Sequence, residues 1–334
     1  MKLGFTYDLR EDYVARGHSR EETAEFDGAA TIDLIATTLE DLGYSVDRIG
    51  HVHHLVERLA RGDHWDLVFN IAEGLRGPGR EAQIPALLEA CDIPFVFSSS
   101  WTMMVTLDKA LTKTVLAQQG VATAPWCVAQ DPSFVLPAGM HYPLFLKPVG
   151  EGSSIGVLDQ SLVRAPAGLA PTLAMLLKRY RQPVLVECFL SGREFTVGIL
   201  GTGDNARVLG VMELHLDRLG KPFARSADNK DIDHTVSAFH SLCEGAMREA
   251  AGELALQSWR VLGGRDAGRV DIRCDDEGQP HVLEVNALPG LTPGYSDLCI
   301  LAGLAGLRYP DLLAAILREA TTRLAIAAPQ PLAA

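Results

Sequence analysis

Arg269, Asp271, Glu284 and Asn286 put a guanidinium, two carboxylates and a carboxamide on one side of a hairpin if the stretch RVDIRCDDEGQPHVLEVNALPG folds back on itself. Two runs of alternating apolar and polar residues flank Asp275-Asp276-Glu277-Gly278, an acidic turn ending in glycine, which is a hairpin pattern. With those four residues as the loop, Cys274 pairs with Gln279, Asp271 lies opposite Val282, and Arg269 lies opposite Glu284. One face then carries Val270, Ile272, Leu283 and Val285. The other carries the four polar residues, and a slip of one position would mix the two sets. Asp271 and Glu284 become diagonal neighbours able to share an ion. All-oxygen ligands suit Mg2+ or Mn2+ better than zinc, and Mg2+ held by few carboxylates completes its shell with substrate phosphates. An ordinary solvated hairpin face has the same alternation, so the rest of the chain must decide.

A second candidate is Lys147, at the end of an apolar run and followed by Pro148-Val149-Gly150-Glu151-Gly152-Ser153-Ser154-Ile155-Gly156. Three glycines and two serines permit tight turns that present backbone N–H groups to an anion, and Lys147 adds charge. No Gly-Lys-Ser/Thr occurs, so this is a loop between strands and not a P-loop. Gly152 to Gly156 also fits G-x-S-x-G, which would make Ser154 a hydrolase nucleophile. That motif needs a helix after the turn, and Val157-Leu158 reads as strand.

These residues need elements to hold them. At 334 residues the chain can bury a large core and form two or three domains. Strands at Met1 to Tyr7, Tyr44 to Val46, Trp65 to Ile71 and Pro94 to Phe97 alternate with helices at Glu21 to Leu42, Val56 to Ala60 and Ile84 to Ala90. That order means α/β with a parallel sheet. Beyond it lie a helix over Asp108 to Gln119, strands at Tyr142 to Lys147 and from Val157, and a helix from Pro171 to Tyr180. Strands follow at Pro183 to Phe189, Glu194 to Leu200 and Val208 to Leu216, then a helix over Ser241 to Leu262. Helices at Asp297 to Leu307 and Pro310 to Ala325 close the chain. Asp217 to His234 is a long, charged, poorly periodic segment, and a loop of that length inside a compact domain is either functional or disordered.

A net charge of -12 argues against nucleic-acid or anionic-membrane binding, so an anionic substrate must be met by particular Lys and Arg residues. The six cysteines are scattered without a CxxC pair, the start lacks a signal peptide, and no run spans a membrane. A reducing cytoplasm is the expected setting.

Four stretches in order, DKALTK at Asp108, PLFLKPVGEGSSIGV at Pro143, VLVECFLSGREFTVGIL at Val184 and GRVDIRCDDEGQPHVLEVNALPGLT at Gly268, resemble the D-alanine–D-alanine ligases of the ATP-grasp superfamily. The likeness runs from about Trp65 to Ala320. It implies a three-part ATP-grasp fold: an N-terminal α/β domain over residues 1–102, a central lid domain over 103–186, a larger C-terminal domain over 187–328, and a disordered tail at 329–334. It implies carboxylate–amine ligation through an acylphosphate, with ATP and two Mg2+ ions as cofactors, Mn2+ being an alternative. Non-catalytic ATP binding is the rival reading beside the serine hydrolase.

By that resemblance Lys109 and Lys147 touch ATP phosphates, and Ser153 and Ser154 belong to the glycine-rich lid. Glu187, Cys188, Phe189 and Leu190 form the hinge that reads adenine, and Glu194 holds the ribose. Asp271, Glu284 and Asn286 ligate the metal. Arg269 stabilises the transferred phosphate, the Gly290 N–H faces the oxyanion, and Lys230 corresponds to the lysine of a mobile loop. The departures lie where substrates bind. The family's N-terminal Gly-Gly and Ser/Glu signature is absent, with Glu25 standing in for the glutamate that holds an amino group. The family's His-Gly is Glu73-Gly74 here, and its acidic pair is Arg80-Glu81. The serine for the second carboxylate falls at Tyr295 or Ser296. Arg80 in place of an acid suggests an extra substrate carboxylate or a different first substrate. The implied partners are small amino or hydroxy acids and a second copy of the chain in a homodimer.

Overall fold

The computed structural model describes residues 1–152, 154–215 and 239–329. Three sheets organise them. The first is parallel, with β1 (Lys2–Thr6), β2 (Ser45–Gly50) and β3 (Leu67–Asn70) in the order β2-β1-β3. Leu3, Phe5, Leu67 and Phe69 are fully buried, as strands covered on both faces by helices require. Helix α2 (Ala29–Asp41) covers the face carrying those four, and α3 (Val52–Ala60) and α4 (Gln83–Ala90) cover the face carrying Val68, while the short α1 (Arg10–Ala15) precedes them in the chain.

Two expectations fail in this region. The helix expected over Glu21 to Leu42 begins only at Ala29, because Gly28 is extended and Arg10 takes the carbonyls of Thr23, Ala24 and Phe26. A helix would need those carbonyls for its own ladder. The strand expected at Pro94 to Phe97 is a single parallel bridge from Phe95 to Val68. Phe97 has φ 77° and gives its N–H to Asp266 (2.8 Å), which turns the chain out of the sheet.

Helices α5 (Ser100–Leu107) and α6 (Lys109–Gln118) lead away, their N-caps Ser99 and Asp108 accepting from Thr102 and Leu111. The second sheet is antiparallel, with β4 (Trp126–Ala129), β5 (Leu144–Pro148), β6 (Leu162–Val163) and β7 (Val184–Cys188) in the order β4-β7-β5-β6. Helix α7 (Leu169–Tyr180) packs Leu173 and Leu176 against Leu146 and Val186. The strand expected from Val157 is replaced by a 3-10 turn over Asp159–Ser161 and the two-residue β6, because the Ser161 hydroxyl accepts the Leu158 N–H (3.0 Å).

The third sheet holds β8 (Glu194–Leu200), β9 (Arg207–Leu214), β10 (His240–Leu242), β11 (Ala267–Cys274) and β12 (Pro280–Asn286) in the order β10-β9-β8-β11-β12. Helix α8 (Ala246–Val261) starts later than expected, since β10 takes up His240–Leu242. Helices α9 (Asp297–Leu304) and α10 (Tyr309–Leu324) follow. Leu301 of α9 lies against Gly198 and Gly210, where a Cβ would stand 2.8 and 3.0 Å from its methyl groups. The expected divisions at 102 and 186 fall inside α5 and β7, so helix and sheet membership run through both. Among the described residues no single helix is long and apolar enough to cross a membrane.

Candidate active site

The hairpin forms, but its register differs from the expected one. Cys274 faces Pro280 and Ile272 faces Val282; after a bulge at Leu283, Asp271 faces Glu284 and Arg269 faces Asn286. Asp275 causes the first shift: its carboxylate accepts the N–H groups of Glu277 (3.0 Å) and Gln279 (2.8 Å), widening the turn by one residue. The bulge then exchanges faces. Val282 joins Val270, Ile272 and Val285 in the core, while Leu283 turns to the cleft. Two carboxylates expected on the diagonal therefore lie directly opposite each other.

Around them the charges interlock. Asp271 accepts from the Thr196 hydroxyl (2.8 Å), the Asn286 amide (3.1 Å) and the Arg269 guanidinium. Glu284 lies 3.4 Å from Lys109 Nζ. Burial, together with Glu284 and Asp297, raises the Asp271 carboxyl to about 6 against the pull of Arg269. Burial would raise Glu284 too, but Lys109, Lys147 and Arg269 hold it well below the usual range. Asp297, at the start of α9 and 3.8 Å from Arg269, is a member that sequence reasoning missed.

The cleft between the second and third sheets is lined by these residues and by Phe145, Ile155, Val157 and Leu190. Lys147 projects from β5 to Glu187 of β7 (2.9 Å), and Lys113 of α6 reaches the other oxygen of Glu187 (3.0 Å). Burial opposes the charged carboxylate, yet the two lysines outweigh it and hold Glu187 at about 2. Lys113 was not singled out from the sequence, although it lies four residues from Lys109 on one helix face. At the hinge, Cys188 and Phe189 give their N–H groups to the Pro125 and Pro143 carbonyls (both 2.9 Å). Among the described residues the Leu190 N–H has no such acceptor. Glu194 pairs with Arg273 (3.0 Å), whose guanidinium lies over the Phe189 ring.

An apolar slot, a hinge whose Leu190 N–H has no acceptor among the described residues, two buried lysines and an oxygen-only acidic set fit a purine nucleotide with a hard divalent cation. Asp271, Glu284 and Asn286 would hold the cation. Ser154 lines the cleft with φ 62°, but no helix follows it, and among the described residues no histidine bonds to it. The nucleophile elbow is therefore not formed. Ser153 and Lys230 lie outside the described residues, as does the charged segment Asp217 to His234.

Lys109, Arg269 and Glu284 also line a second cavity of about 360 Å³. Gly290, Tyr295 and Ser296 form one wall. A Cβ on Gly290 would stand 2.7 Å from Ser296 Oγ, which accepts the Thr292 N–H (3.0 Å). Glu25, Glu73 and Glu81 form the opposite wall. Glu73 and Glu81, noted from the sequence only as departures, thus enter the site. Arg80 does not line the cavity. Its guanidinium is buried behind Glu25 (2.5 Å) and donates to the Gly150 carbonyl (2.7 Å), so it is engaged by protein and not open to a substrate carboxylate. Glu25 in turn lies against the glycine-rich loop at Gly152.

Three sheets in this arrangement, with a nucleotide-shaped cleft between the last two and an oxygen-ligand set on its floor, define an ADP-forming ligase of the ATP-grasp fold. The fold matches crystal structures of D-alanine–D-alanine ligase from Bacillus anthracis complexed with ATP (TM-score 0.71, 21% identity, covering 97% of this chain and 98% of that one) and from Coxiella burnetii (TM-score 0.69, 19% identity, covering 97% and 96%). Residues 115–318 match the family model "D-ala D-ala ligase C-terminus". The chain is 33% identical over 301 residues to the D-alanine–D-alanine ligase of Rhizorhabdus wittichii, covering 86% of this chain and 89% of that one. It is 31% identical over 258 residues to uncharacterized protein y4sG of Sinorhizobium fredii, covering 77% and 75%. The chain belongs to the D-alanine–D-alanine ligase family.

Proposed function

We propose that this enzyme joins the carboxylate of one small amino or hydroxy acid to the amine of another, with altered selectivity relative to its D-alanine-ligating relatives. One substrate carboxylate attacks the γ-phosphate of ATP, giving an acylphosphate and ADP; the second substrate's amine then displaces phosphate. Lys109 and Lys147 neutralise the phosphates, and Mg2+ or Mn2+ bound at Asp271, Glu284 and Asn286, as two ions, would spread the remaining charge. Arg269 and the Gly290 N–H serve the transferred group and the developing oxyanion. Glu187 retains lone pairs for the adenine amine beside its two lysines, the Leu190 backbone takes a ring nitrogen, and Glu194 takes the ribose. Glu25, Tyr295 and Ser296 contact the amino acids. Ser153 and Lys230 are assigned to the lid by resemblance alone. We place the enzyme in the cytoplasm as a homodimer.

The observation that carries this reading is the sharing of Lys109, Arg269 and Glu284 by the nucleotide cleft and the second cavity. It lets a carboxylate in one reach a phosphate in the other. The test is ADP release from Mg-ATP over a panel of single and paired amino acids of both hands, with products followed by mass spectrometry. Coupled dipeptide and ADP are expected, and Arg269→Met should slow both by about 10²–10³-fold, as loss of a charge-stabilising donor does. Nucleotide binding without amino-acid-dependent ADP release would overturn the reading.

A further inference from the structure

The second cavity carries negative charge that the nucleotide does not use. Glu25, Glu73 and Glu81 bring carboxylate oxygens within 4.8 Å of one another. Arg80 matches Glu25. Among the described residues, no cation lies within ion-pair distance of Glu73 or Glu81, and neither has a hydrogen-bond partner. Burial and the neighbouring carboxylates push both carboxyls upward, opposed by Arg80 at both and by Lys109 at Glu81. Like charges held together and shielded from water are costly until a cation or a proton joins them.

Among the described residues, the cavity's own cations are committed elsewhere. Arg10 serves the carbonyls of Thr23, Ala24 and Phe26; Lys109 serves Glu284 and the Glu151 carbonyl; Arg269 serves Asp271. No described residue supplies the missing positive charge, which leaves it for the ligand to bring. Resting on the ligase reading of this site, we infer that one substrate carries a second ammonium group, as a diamino acid does, and that Glu73 and Glu81, beside Glu25, hold it. A primary ammonium has three donors and suits three converging carboxylates, whereas a guanidinium prefers one carboxylate in a flat, bidentate pair. The held ammonium takes no part in bond making. One carboxylate and one other amine are consumed, and the extra ammonium leaves unchanged on the product.

Ornithine and norleucine provide the test, since norleucine replaces the side-chain ammonium by a methyl. Both hands of each are compared by calorimetry on the full chain and by ADP release with Mg-ATP. Ornithine should bind, and turn over by kcat/KM, about tenfold or more better than norleucine, because a site built for a donor penalises the analogue lacking it. Glu73→Gln and Glu81→Gln should raise KM for ornithine far more than they lower kcat, and the double variant should lose the preference. Melting temperature reports whether each variant is folded.

Equal affinity for the two amino acids would overturn the inference. So would a preference that survives in the folded double variant, or Mg2+ alone binding at these glutamates and expelling ornithine. ADP release with neutral pairs but not with ornithine would sink the inference and leave the ligase standing. Selective ornithine binding without ADP release from any pair would do the reverse.

Discussion

In the nucleotide cleft, buried charges meet opposite charges: Glu187 between Lys113 and Lys147, Asp271 against Arg269, Glu194 against Arg273. On the far side of Lys109 and Arg269, the cavity wall gathers Glu73 and Glu81 without a cation at ion-pair distance among the described residues. The difference follows from what each region receives. ATP brings negative charge to lysines fixed in advance, so the cleft is folded and balanced before the ligand comes. On the proposed reading, the second cavity keeps its imbalance for the ligand to correct, and that imbalance would set selectivity.

Breaking the balanced side should have the largest effect. Lys113→Met leaves Glu187 with one lysine and should lower unfolding free energy by about 3–5 kcal/mol, as loss of one partner from a buried pair does; urea titration measures it. The sign with pH is definite. The Glu187 carboxyl is held at about 2, below its ordinary value. Its stabilising contribution is therefore present above the ordinary carboxylate range and is lost as pH falls toward about 2. Acid titration of Lys113→Met should show a shallower loss than the parent in that window.

A smaller effect is expected where the two regions meet. Arg80→Leu removes the tie between Glu25 and the Gly150 carbonyl and should cost about 2–3 kcal/mol by leaving a buried carboxylate and carbonyl unmet. In steady-state kinetics it should raise the KM for amino acid more than that for ATP. The reverse order would place Arg80 on the nucleotide's side of the comparison. Least affected should be Glu21→Gln. Its pair with Arg179 (2.9 Å) is half exposed, so a loss below about 1 kcal/mol is expected in the same denaturation assay.

The two regions were also unequally legible in the sequence. The polar face of β11 and β12 is local, and alternation named Arg269, Asp271, Glu284 and Asn286. The bulge was not legible, because Asp275 chose the turn width through side-chain bonds that alternation does not encode. The α/β order and the strands around Lys147 and Glu187 could be read from apolar runs. The false helix over Glu21 to Phe26 could not be avoided, since its competitor is a guanidinium ten or more residues away. The cavity wall was hardest. Glu25 precedes α2 while Glu73 and Glu81 stand near the two ends of the β3–α4 connection, and Arg80 looked like a substrate ligand until its partners at Glu25 and Gly150 were in view. Asp297 meets Arg269 only through the packing of α9.

The extra residue at Leu283 sits between the turn and the Asp271–Glu284 pair. A one-residue deletion in the turn can be absorbed by flattening that bulge, which restores loop width and leaves the pairs beyond it in place. Every β12 residue between the turn and the bulge then changes face: Leu283 comes opposite Ile272, Val282 opposite Arg273 and His281 opposite Cys274. The length of this exposed turn can thus change while the Asp271–Glu284 and Arg269–Asn286 pairs keep their places.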